Sequence, residues 1–100
     1  MTILDEIVAY KRKEVDERAS TYPIKLLEQS LYFKSECVSL KKYILRKDKS
    51  GIIAEFKRKS PSKGIINAYA DVEKVTIGYM QAGASALSVL TDNNFFGGKK

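Results

Sequence analysis

Histidine is absent from this 100-residue chain, and cysteine occurs once, as Cys37. Ser-His triads, Cys-His dyads and imidazole metal sites are therefore excluded, no internal disulfide can form, and a Cys-based zinc site has no ligand set. Any proton transfer falls to Asp, Glu, Lys, Tyr and Ser. Long apolar runs are missing too: Ile52–Ala54 and Leu87–Leu90 are short, and Asp5, Glu6, Lys11, Arg12 and Lys13 stand where a signal peptide needs an uncharged core. A cytoplasmic protein with no membrane partner is expected.

What is present is an apolar fraction of 44%, ordinary for a chain with a packed core and too high for general disorder. The net charge of +6 is uneven: residues 34–63 hold ten Lys/Arg against three Asp/Glu, or +7, and the rest holds eight against nine, or −1. Such a patch gathers anions, whether nucleic acid, a membrane surface or a phosphorylated metabolite.

Ile3, Leu4, Ile7, Val8 and Val15 recur at helical spacing, with Thr2 as N-cap and Asp5 and Glu6 in the first turn, so a helix is expected to about Arg18. Its Lys11-Arg12-Lys13 run reads as a solvated face neutralised by Glu14, Asp16 and Glu17. Tyr22-Pro23 marks a boundary before a short helix over Pro23–Ser30, and Ser39–Leu45 forms a third helical piece. Lys47–Gly51 is a polar turn.

At Gly51 the pattern changes. Ile52–Lys57 reads as a strand, Arg58–Ala70 as a loop, and Asp71 as the cap of a helix that carries Val72, Val75, Tyr79, Met80 and Ala82 and ends at Gly83. Tyr79 and Met80 are assigned to the core. Ser85–Leu90 is a second strand and Thr91–Lys100 a polar loop. This order is one βαβ unit with parallel strands. Two parallel strands cannot cover both faces or both edges of a sheet, so the chain is expected to be the N-terminal part of a larger α/β protein. Residues 1–50 then form a helical extension and residues 51–100 the first strand, helix and second strand.

Alternation along the first strand puts Ile53, Glu55 and Lys57 on one face and Ile52, Ala54 and Phe56 on the other. The Glu55 and Lys57 α-carbons are then about 6.5–7 Å apart, within reach of each other or of one small ligand. A structural ion pair satisfies the same pattern. Charges on a parallel strand are costly unless paired or used, and ligands in such architectures bind beyond the carboxyl ends of the strands. The following loop, Arg58–Gly64, joins three cations to two hydroxyls, suited to carboxylate or phosphate oxygens, but it lacks the glycine spacing of a P-loop.

The segment IIAEFKRKSPSKG, residues 52–64, closely resembles the signature segment of the indole-3-glycerol-phosphate synthase family. ILDEIVAYKRKEV is similar to that family's opening helix, and AGASALSVLTDNNFFGG to its second barrel strand and following loop. The resemblance implies a (βα)₈ TIM barrel preceded by a helical extension. It also implies ring closure of 1-(2-carboxyphenylamino)-1-deoxyribulose 5-phosphate with loss of CO₂ and water, a carbon-carbon lyase reaction of tryptophan biosynthesis. No cofactor and no metal are implied; the partner is the small phosphorylated, anthranilate-derived substrate. Carried onto matching positions, Glu55 is a catalytic carboxylate for proton transfer in the dehydration. Lys57 holds the substrate's anionic groups and relays a proton, Ser60 contacts the substrate, and Phe96 lines the pocket for its aromatic ring. The family also uses a third-strand lysine, a later carboxylate and asparagine, and phosphate loops near strands seven and eight, so residues 1–100 alone are expected to be inactive. Lys99-Lys100 departs from the small polar residue usual after the glycine pair.

Two other readings compete. Tyr32, Phe33 and Tyr43 among the central lysines could stack nucleic-acid bases, although Glu55 would repel phosphates. Alternatively, open sheet edges could drive a half-barrel to associate with itself. In filter binding across a salt series, no retention of single-stranded RNA or DNA is expected even at low salt; retention that weakens with salt would favour the first of these.

Overall fold

The computed structural model describes residues 2–99, which divide into two compact units between Cys37 and Val38. The division precedes Gly51, so the third helix groups with the strands.

In the first unit, α1 spans Ile3–Thr21. Its start is a capping box: the Asp5 N–H donates to Thr2 Oγ1 at 3.2 Å, and the Thr2 N–H donates to Asp5 Oδ2 at 3.0 Å. Lys11 reaches Glu14 at 2.7 Å, the local neutralisation expected of the basic run. The helix runs past its expected end at Arg18 to Thr21, and there the Ser20 and Thr21 hydroxyls are taken up locally, donating to the carbonyls of Asp16 and Glu17 at 3.1 and 3.0 Å. Pro23, with φ −65°, then caps α2, Ile24–Leu27. That helix is one turn, shorter than expected. Gln29 and Ser30 bond three residues back, to Leu26 and Leu27, so the coil tightens into turns. Ile3, Leu4, Val8 and Val15 of α1 stay open to solvent while Ile7 is half-buried, and α1 and α2 border a shallow groove lined by Val15, Ala19, Tyr22, Ile24 and Leu27.

The second unit opens with α3, Leu40–Leu45, whose first turn is capped by Ser39 accepting from the Lys42 N–H at 3.2 Å. In the turn after it, Arg46 grips Asp48 through two hydrogen bonds of 2.8 and 2.6 Å. These hold the Asp48 carboxyl below its ordinary range and raise Arg46 above its own. Solvent surrounds both groups, so the pair shapes the turn more than it stabilises the fold.

Strand β1, Ile53–Phe56, pairs in parallel with a later strand, Ala86–Val89. The chain between them contains β2, Lys59–Ser60, β3, Gly64–Ile65, and α4, Val72–Gln81; the later strand is therefore β4. The architecture is α/β with a parallel sheet, in the expected order. The loop Arg58–Ala70 is more regular than expected, because β2 and β3 form a small antiparallel hairpin. Both ends of α4 follow local chemistry. Asp71 accepts from the N–H groups of Glu73 and Lys74, at 2.9 and 3.2 Å. At the other end Gly83 takes φ +97°, and the N–H groups of Gly83 and Ala84 return to the carbonyls of Met80 and Tyr79.

Phe56, 3% exposed, is the one buried hydrophobic side chain among the described residues. Tyr79 is half-buried and its hydroxyl donates to the Glu55 carbonyl at 3.4 Å. Met80 corrects the core assignment: it is 53% exposed, one position further round α4 from the side that meets the sheet. The expected loop after β4 contains a single helical turn, α5, Asn93–Phe96, because Asp92 Oδ1 accepts from the Phe95 N–H at 2.7 Å. Among the described residues no helix is long and apolar enough to cross a membrane.

The capping box gives a pH dependence. Its hydrogen bonds from Thr2 lower the Asp5 pKa below 3.8, so their contribution is intact above that value and is lost as pH falls through the lower, folded-state pKa. Amide exchange of the first turn of α1 should therefore accelerate on acidification below pH 3.8 and be independent of pH-linked capping near neutrality, after correction for intrinsic exchange.

Candidate active site

Glu55 stands on β1 and Lys57 just past its end, the strand stopping at Phe56 one residue short of the expected Lys57; their charged groups still approach, with Glu55 Oε1 3.7 Å from Lys57 Nζ. The side chains are 49% and 38% exposed, respectively, so both can reach a ligand from solvent. Across the ladder Glu55 is level with Ser88, whose Oγ lies 3.5 Å from Glu55 Oε2. The three groups sit toward the carboxyl end of the parallel pair, where β1 gives way to the hairpin.

Arg58, the next residue, fastens that end. Its Nε donates to the Ala70 carbonyl at 3.0 Å and its Nη1 to the Gly97 carbonyl at 3.4 Å. Its own carbonyl accepts from the N–H groups of Ile66 and Asn67, at 2.8 and 3.0 Å, and its guanidinium lies 5.0 Å from the centre of the Phe56 ring. One side chain thus joins the strand end, the entry to α4 and the turn after α5. The planar fork of arginine allows this, whereas a single ammonium would not. As one of three cations in a basic loop, Arg58 carries no sign of this role in the sequence; its partners are remote along the chain.

Ser60, on β2, is buried, and its hydroxyl is engaged within the hairpin, accepting from the Lys63 N–H at 3.2 Å and lying 3.4 Å from Ser62 Oγ. Phe96 ends α5 and is half-buried. The structure brings α5 against β2, so the elements bearing Phe96 and Ser60 are neighbours, while Glu55 and Lys57 contact each other directly.

The glycine pair makes this approach possible. Gly97 has φ +66°, and a Cβ there would meet Lys59 Cγ at 3.3 Å and Arg58 Cβ at 3.4 Å. At Gly98 a Cβ would overlap the Leu90 carbonyl oxygen and the Thr91 backbone. The Gly98 N–H instead donates to the Asp92 carbonyl at 2.7 Å, and its carbonyl accepts from Asn93 Nδ2 at 3.2 Å. Among the described residues no group of three or more His, Cys, Asp or Glu side chains could hold a metal ion.

A family model described as indole-3-glycerol phosphate synthase matches residues 4–100. The chain belongs to the indole-3-glycerol phosphate synthase family. A Bacteroides thetaiotaomicron protein of that name is 49% identical over 96 residues, covering 96% of this chain and 36% of the relative. A Bacillus cereus relative of the same name is 47% identical over 98 residues, with 97% and 35% covered. A Bacillus anthracis relative is 46% identical over 98 residues with the same shares, 97% and 35%. The chain therefore spans about a third of the length of the indole-3-glycerol phosphate synthases it matches.

The glycines give a graded prediction. Gly64 has φ +66° and open space where a methyl group would stand, so Gly64→Ala should cost about 1 kcal/mol from backbone conformation alone. Gly98→Ala forces backbone to move and should cost about 3 kcal/mol. Thermal melting of the two variants should show the larger loss at Gly98.

Proposed function

We propose that this chain is the N-terminal portion of an indole-3-glycerol-phosphate synthase. Residues 1–50 form the helical extension and residues 51–100 the first βαβ unit of a (βα)₈ barrel. The enzyme is a cytoplasmic carboxy-lyase of tryptophan biosynthesis, acting on 1-(2-carboxyphenylamino)-1-deoxyribulose 5-phosphate. The observation that carries this reading is the Glu55–Lys57 pair, 3.7 Å apart on one face at the carboxyl end of a parallel strand. In barrels of this kind that end of the strands carries the chemistry.

Ring closure joins the carboxylate-bearing aromatic carbon to the ribulose carbonyl carbon, and CO₂ leaves as the ring regains aromaticity. The new hydroxyl then departs as water, taking up one proton, while the methylene carbon beside the anilino nitrogen releases one and the double bond of the indole forms between the two carbons. Lys57 supplies a positive charge that draws and holds the substrate's anionic groups. Glu55 handles a proton of the dehydration, and its neighbouring ammonium makes exchange between the two groups short-range. Ser60 contributes a hydroxyl from the hairpin, and Phe96 supplies an apolar wall for the anthranilate-derived ring. No cofactor is called on. The free edges of β1 and β4 are where the barrel's other strands would add.

In the full-length enzyme, Glu55→Gln and Lys57→Ala should each lower kcat/KM by about a hundredfold or more with the melting temperature little changed. Undiminished turnover in either variant would count against the assigned role. The natural sequence after residue 100 should also supply a third strand with an inward lysine.

A further inference from the structure

Parallel pairing sets Ser88 of β4 level with Glu55 of β1, so both side chains rise from the same face of the sheet. The carboxylate is thereby bracketed by two different groups: Oε1 lies 3.7 Å from Lys57 Nζ, and Oε2 lies 3.5 Å from Ser88 Oγ. The two are not equivalent once a substrate arrives. An ammonium that takes up substrate anions loosens its hold on Glu55, because the same charge now faces competing oxygens. Ser88 has no charge to divert. Its side chain has a single torsion before the hydroxyl, and its strand is fixed by the ladder to β1. At 3.5 Å the contact is at the outer limit of a hydrogen bond, and long contacts of this kind are common between catalytic groups in unliganded sites.

We propose that Ser88 is a positioning residue, holding the Glu55 carboxylate through Oε2 so that Oε1 remains presented to the reacting atoms while Lys57 is engaged with substrate. The inference rests on the reading of Glu55 and Lys57 given above. It deepens that reading by adding a residue from the second strand that touches no substrate.

The test is steady-state kinetics of the full-length enzyme with Ser88→Ala, Ser88→Thr and Glu55→Gln, each accompanied by a melting curve. Ser88→Ala should lower kcat by about tenfold and change KM by less than about twofold, because orientation and not binding is lost. Ser88→Thr keeps the hydroxyl on a side chain that suits a strand, and should recover kcat to within about threefold of the unsubstituted enzyme. An unchanged kcat in Ser88→Ala, a loss confined to KM, or an equal loss in Ser88→Thr at unchanged melting temperature would overturn the positioning role and leave the site reading standing. An unsubstituted enzyme without turnover, or full turnover in Glu55→Gln, would overturn the site reading and the role of Ser88 with it.

Discussion

Parallel strands cannot be joined by a tight turn, and that constraint organises residues 51–98. The register runs from Ile53 opposite Ala86 to Phe56 opposite Val89. Hydrogen bonds continue it at both ends, from the Ser85 N–H to the Ile52 carbonyl and from the Leu90 N–H to the Phe56 carbonyl. To return in the same direction the chain must cross over, which it does through the hairpin and α4. Both strands then finish at the same end, and their following loops meet there. A slip of one residue would turn Glu55 toward the helix and Phe56 toward solvent, so the burial of Phe56 also secures the facing of the carboxylate.

The two ends of this ladder have different duties. At the amino ends the chain closes on itself with main-chain and hydroxyl bonds: Ser50 N–H to the Gly83 carbonyl at 2.9 Å, and Gly51 N–H to Ser85 Oγ at 2.8 Å. At the carboxyl ends stand Glu55, Lys57 and the Arg58 bracket. The carboxyl ends thus carry the ionisable side chains together with the Arg58 contacts and the buried Phe56, and in a βα barrel it is this end that holds the chemistry.

What is legible in the sequence follows from distance along the chain. Thr2, Ser39 and Asp71 serve N–H groups two or three residues away, and Gly83 ends α4 by its own conformation, so each can be read from a short window. The Glu55–Lys57 pair is legible for the same reason: the period of a strand relates residues two apart. The partners of Arg58 stand 12 and 39 residues away and that of Ser88 stands 33 away, and no window contains them. The β2–β3 hairpin reads as loop because it is short and its end is held by the Arg58 carbonyl, whereas the α5 turn has a local signal, Asp92 capping Phe95, that four residues are too few to make into a helical pattern. Met80 reads as core, wrongly, because helical period gives the apolar stripe but not the width of the contact that covers it.

Among the described residues buried apolar side chains are nearly absent, and this bears on what the parallel pair can do by itself. Phe56 alone, fully buried, contributes about 2–3 kcal/mol, whereas fixing each residue's backbone costs about 1–2 kcal/mol. Ile53, Leu87 and Val89 lie exposed along a two-stranded sheet with both edges free. A parallel pair with so little covered apolar surface gains little by closing on its own. Its free edges and bare apolar side chains instead make it a template, on which an extended segment of matching pattern could add as the next strand.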